Sequence, residues 1–143
     1  MKSLANPAVI ARRHLVVGWG ALVFFVGLGI VLEALLAFKA GAYVDVGSDT
    51  RREMWRLAHA HGIGIALVHI AYGLTVKSVP GAADALASSC LLVGLLLVPL
   101  GFFGGGFATH GGDPGALIFA VPPGAVALVA GVLCAARAVV REA

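Results

Sequence analysis

The sequence predicts an all-α fold, an integral membrane four-helix bundle with short loops. Three observations point to it. Of 143 residues, 60% are apolar and only 12% charged, where a soluble domain of this size carries about a quarter. Mean hydropathy is +1.00, more than one small aqueous core can hide, so lipid must solvate much of the surface. Four apolar runs of spanning length, divided by polar or Gly/Pro breaks, fill the chain and leave no room for a second domain.

The first span is expected over about residues 14–38, from His14 to Phe38. Its apolar run, Leu15 to Phe38, is interrupted only by Glu33. A signal-peptide core is roughly 7 to 15 residues long, so a span is expected and not a cleaved leader. A polar stretch, Lys39 to Arg56, follows. Within it Thr50 and Glu53 have capping-box spacing, which starts the second helix near Thr50, in water. The second span is then 55–76, with Trp55 at the interface and Lys77, Pro80 and Gly81 closing it. The third span is 83–103 and the fourth 116–139, with a kink expected at Pro122-Pro123.

Lys and Arg lie at segment ends, six on the side of both termini (Lys2 included) and four on the other. This places the termini inside, in a bacterial inner membrane with both termini cytoplasmic. The net charge of +3 is thus a topology signal, and nucleic acid is not an expected partner. The expected partners are the lipid bilayer and either further copies or other membrane subunits. Small residues at four-residue spacing (Ala58, Gly62, Ala66; Ala127, Gly131, Ala135; Gly101, Gly105) serve either packing within the chain or dimerisation. Cys90 and Cys134 lack metal or redox spacing and read as packing residues.

Chemistry is sought among ionisable residues placed where lipid should be. Glu33 lies about 7 Å inside one boundary, and His61 lies at a similar depth from Arg56 on the antiparallel second helix. His59, and His110 and Asp113 of the third loop, return to the same surface. Glu33, His59, His61, His110 and Arg56 therefore form a candidate polar cluster, either ligand-binding or structural. Glu33 is expected to face the interior and to hydrogen-bond with His59, His61 or Arg56. Glu33, His61 and His110 are candidate ligands for zinc, copper or iron. His59 and His61 are about 200° apart on a helix, so only one of them joins Glu33. His69, about 20 Å from Arg56, reads as a lone buried histidine, since no other span offers one at its depth; haem b is not expected. No cofactor is firmly implied, and there is no Ser–His–Asp set, HExxH or phosphate loop.

The order Gly27-Leu-Gly-Ile-Val-Leu-Glu33, then Trp55 before His59-Ala-His61-Gly, then Gly101-Phe-Phe-Gly-Gly-Gly, then Val121-Pro-Pro-Gly124 resembles the YgdD-like family of small four-helix membrane proteins. The resemblance covers most of the chain and implies the architecture, with no activity attached. That family places a small residue and a histidine late in its first span; this chain has Glu33, Ala34 and Lys39 there. The functional expectation is a non-enzymatic accessory or scaffold unit of an oligomer or larger membrane complex. The alternative is a membrane-embedded metal- or small-ligand-binding protein, with or without enzymatic activity, using Glu33, His59, His61 and His110.

Overall fold

The computed structural model describes residues 6–142, and the chain is all-α. Helix α1 spans Pro7–Ala37, a short α2 spans Gly41–Val44, and the other long helices are α3 (Asp49–Ser78), α4 (Ala85–Gly105) and α5 (Val121–Glu142). Four helical stretches, α5 together with the 3-10 turn before it, are long and apolar enough to cross a membrane. Much of their surface is apolar and uncovered: Val23, Phe24, Ile30, Leu96, Val126 and Leu133 all point outward. Lys2 lies outside the described residues.

The first helix begins two turns earlier than the apolar run suggested. Asn6 caps it, its side-chain oxygen accepting from the Ala8 amide at 3.0 Å, and Pro7 takes the first helical position, where no N–H is needed. His14 is thereby moved from the expected edge into the body of the helix. The start of α3 agrees with expectation, but the capping box does not form. Ser48 is the cap residue, with no side-chain cap bond. Thr50 Oγ donates instead to the Gly112 carbonyl at 2.5 Å. Pro122-Pro123 fall inside the fourth membrane-spanning stretch, just after it passes from 3-10 to α geometry. A 3-10 turn, Ala116–Ala120, precedes α5, and the two prolines sit in its first turn, where their missing N–H groups cost nothing.

Packing follows chain order: α1 lies on α3, α3 on α4, and α4 on α5. The expected small-residue stripes supply these seams. Ala58, Gly62 and Ala66 are buried, and a Cβ on Gly62 would run into the Phe25 ring of α1. Gly131 faces Leu91, and Gly101 faces Val121. At the end opposite the termini, Trp55 stacks on Phe103 (centroids 5.4 Å apart) and donates from Nε1 to the Phe103 carbonyl at 3.1 Å. Arg51 ties the loops there, donating to the carbonyls of Gly106 (3.1 Å) and Ala42 (2.8 Å).

Candidate functional site

Two polar ensembles exist, one at each end of the helices. The terminal end holds a hydrogen-bonded chain across three helices. His14 of α1 and His69 of α3 meet through their Nδ1 atoms at 3.0 Å, with rings stacked at 4.7 Å. His14 Nε2 lies 2.6 Å from Ser88 Oγ of α4, and Ser88 also receives a hydrogen bond from Arg13. His69 Nε2 lies 3.1 Å from the Leu91 carbonyl. Tyr72 sets its ring edge-on to His14, and its hydroxyl bonds the backbone of Asp84 at 3.1 Å. His14, His69 and Ser88 are fully buried.

The partners dictate the protons. A carbonyl only accepts, so His69 carries hydrogen on Nε2. With both rings neutral, His69 Nδ1 is then an acceptor, His14 Nδ1–H donates to it, and Ser88 O–H donates to His14 Nε2. Arg13 N–H takes one of the two lone pairs of the Ser88 oxygen. Among the described residues no buried side-chain nitrogen or oxygen lacks a partner.

This arrangement corrects the reading of His69 as solitary. Its partner was missed because the start of α1 was; the Asn6-Pro7 pair is the signal that reveals both. Ser88, His14 and His69 reproduce a nucleophile, a base and a group that orients the base. A substrate has no way in, because all three are sealed and Arg13 occupies the serine oxygen. Trans-axial ligation of a haem iron needs two nitrogens about 4 Å apart, so the Nδ1 pair at 3.0 Å cannot sandwich one. The chemistry left to this network is to bind α1, α3 and α4 together.

The other end is open. A groove of about 1220 Å³ runs along the α1–α3 seam. Its walls are apolar, from Val26, Ile30 and Leu36 of α1 and Leu57 and Ile63 of α3. Its polar lining includes Glu33, Tyr43, Glu53, Arg56 and His59. His59 Nδ1–H donates to the Phe25 carbonyl at 2.8 Å. Gly29 is what lets the imidazole lie flat on α1, since a Cβ there would meet the ring. The tautomer is set by that bond, which leaves Nε2 as the free atom. Tyr43 is buried beside Trp55, and burial pushes its hydroxyl above the usual tyrosine range. Neither His59 Nε2 nor the Tyr43 hydroxyl makes a hydrogen bond among the described residues. Neither is sealed, so both open on the groove.

The expected polar cluster is only partly assembled. Glu33, Arg56 and His59 do share the groove, yet Glu33 is exposed and makes no hydrogen bond or ion pair among the described residues, against the expected bond to His59, His61 or Arg56. His61 matched Glu33 in depth but lies on another face of α3. It donates from Nδ1 to its own helix at the Leu57 carbonyl (2.9 Å) and packs on Phe102. His110 sits on an exposed turn that its backbone and that of Asp113 close by reciprocal bonds of 3.1 and 2.9 Å. Gly111 and Gly112 both have positive φ there, as a two-residue reversal requires. Glu33, His61 and His110 are therefore not brought together as metal ligands. Among the described residues no group of three or more His, Cys, Asp or Glu is placed to hold a metal ion. Cys90 and Cys134 are free thiols, and Cys134 packs against the core around Tyr72.

Comparisons with family models, with curated proteins and with solved structures each give no match.

Proposed function

We propose that this chain is a non-enzymatic integral membrane protein that binds a small amphipathic ligand in the groove between α1 and α3. The observation that carries the reading is the groove itself, which has apolar walls and, at one end, Glu33, Glu53 and Arg56 without hydrogen bond or ion pair among the described residues. Glu33 lies within the first span, and an ionisable residue inside a span marks a functional site by default. The buried His14–His69–Ser88 network supports it by contrast. Where this fold needs polar groups for cohesion, it satisfies them all. The setting is a bacterial inner membrane with both termini cytoplasmic, supported by Arg12, Arg13, Lys77, Arg137 and Arg141 at the terminal end. The groove then opens at the outer surface.

The reading as an accessory or scaffold unit has less support. The small-residue stripes that would serve an oligomer are occupied by contacts within the chain. The test uses Ala60, an exposed residue of the groove wall. Solvent extracts of purified wild-type protein and of Ala60→Trp are compared by mass spectrometry. A molecule present near one per chain in the wild type and depleted in the variant supports binding. Identical extracts overturn it.

A further inference from the structure

The polarity of the groove along the helix axes identifies what it accepts. Helix α1 runs toward the groove's charged end, so Val26 lies seven residues, about 10 Å, deeper than Glu33. Helix α3 runs away from that end, so Ile63 lies seven residues deeper than Arg56. Both walls are therefore charged toward one end and apolar deeper in, which is the head-outward, tail-inward order of a lipid in the same leaflet. Val26, Ile30 and Leu36 are 45%, 67% and 51% exposed, so the trough is open along its length to a chain lying beside it.

Charge selects the head. Of the two guanidinium groups at the polar end, Arg52 is committed. It pairs with Asp49 and donates to the Tyr43 carbonyl at 3.1 Å. Arg56 has no hydrogen bond or ion pair among the described residues, and neither do Glu33 and Glu53. One free cation and two free carboxylates face the same space. An anionic head would satisfy Arg56 but be repelled by Glu33 and Glu53. A cationic head would leave Arg56 alone. A head carrying both a phosphate and an ammonium satisfies both signs. The Tyr43 hydroxyl adds a donor for phosphate, and His59 Nε2 adds an acceptor for ammonium. A primary ammonium has N–H groups to give to these acceptors, whereas a quaternary one has none. Among the described residues one phenol or indole ring lines the groove, that of Tyr43, and it is already stacked on Trp55, so they offer no aromatic cage for a quaternary head.

We infer that the groove is a site for one phospholipid with a primary-ammonium head, of the phosphatidylethanolamine class. The phosphate lies on Arg56 and Tyr43, the ammonium on Glu33, Glu53 and His59, and one acyl chain lies in the α1–α3 trough. This inference rests on the groove's being a ligand site and adds the class of ligand.

The test is native mass spectrometry of the full chain in micelles with an equimolar mixture of palmitoyl-oleoyl phosphatidylethanolamine, phosphatidylglycerol and phosphatidylcholine. Charge-assisted hydrogen bonds are the strong ones, so the wild type should retain one phosphatidylethanolamine about tenfold or more over the others. Glu33→Gln should bring that preference down severalfold. Arg56→Gln should weaken all three lipids together, and Ala60→Trp should remove retention without touching a charge. Thermal unfolding of each variant, in the same micelles, reports that it is folded. Equal retention of the three lipids, lost in Ala60→Trp, overturns the headgroup inference and leaves the groove as a ligand site. No retention by folded wild type, together with identical extracts from wild type and Ala60→Trp, overturns both. Binding of free O-phosphoethanolamine as strong as that of the lipid overturns the lipid as the source of the head.

Discussion

Replacing His14 with phenylalanine keeps the volume of the ring and removes two hydrogen bonds, one to His69 at 3.0 Å and one to Ser88 at 2.6 Å. In water the loss would be read from the cost of orphaned buried groups, about 1–3 kcal/mol each. A membrane bundle calls for a smaller scale, because helices that separate in lipid find other partners. Bonds between helices there average about 0.6 kcal/mol, with about 1.7 the largest. Two such bonds give a loss of about 1–3 kcal/mol, a rise in the unfolding constant of about fivefold to somewhat over a hundredfold. The assay is reversible unfolding in mixed micelles by added dodecyl sulfate, followed by circular dichroism. His69→Phe and the double variant complete a cycle that isolates the imidazole pair. A coupling energy of about 0.5–2 kcal/mol is expected, since the two residues share one bond. Losses that add to within about 0.3 kcal/mol would show that the rings do not bond, and the assignment of protons along the chain would fall with it.

Two further outcomes follow from the α1–α3 seam and its groove. Gly62→Ala places a Cβ against the Phe25 ring and should cost about 1–3 kcal/mol by overpacking. Gly64→Ala, two residues away with nothing within 4 Å of its Cβ, should be neutral or stabilise by up to about 1 kcal/mol through helix propensity; equal effects in the same unfolding assay would refute the close approach. Tyr43, buried at the groove, should ionise above the ordinary value of 10.0. Burial favours its neutral form in the folded state, so its contribution to stability is complete below pH 10 and is lost as pH climbs through the raised value. A difference titration by tyrosinate absorbance, wild type minus Tyr43→Phe, should show the missing component above pH 10; a component at or below it would show the hydroxyl to be solvated.

Helix count and spacing were readable because a helix in lipid must bury its backbone bonds within itself and be long enough to cross, so each span has a local signature in apolar length. The end of α1, the beginning of α3 and the breaks at Pro80-Gly81 and Gly104-Gly105-Gly106 all lie close to where composition changes. Nearness to one end was readable for the same reason, and Glu33, Arg56 and His59 do share one groove. Rotation about the helix axis was not. His59 and His61 differ by two residues and nearly half a turn. Which of them faces α1 depends on where Phe25 and Gly29 present a carbonyl and an open surface, and these belong to another helix. His14 and His69 are 55 residues apart, and no local pattern relates them. They met only once Gly18 and Gly73 had let α1 and α3 approach closely enough for an imidazole-to-imidazole bond. Apolar length is a property of each segment alone and was settled by the amino-acid sequence. The pairing of polar atoms is a property of two surfaces in register, and only tertiary packing decided it.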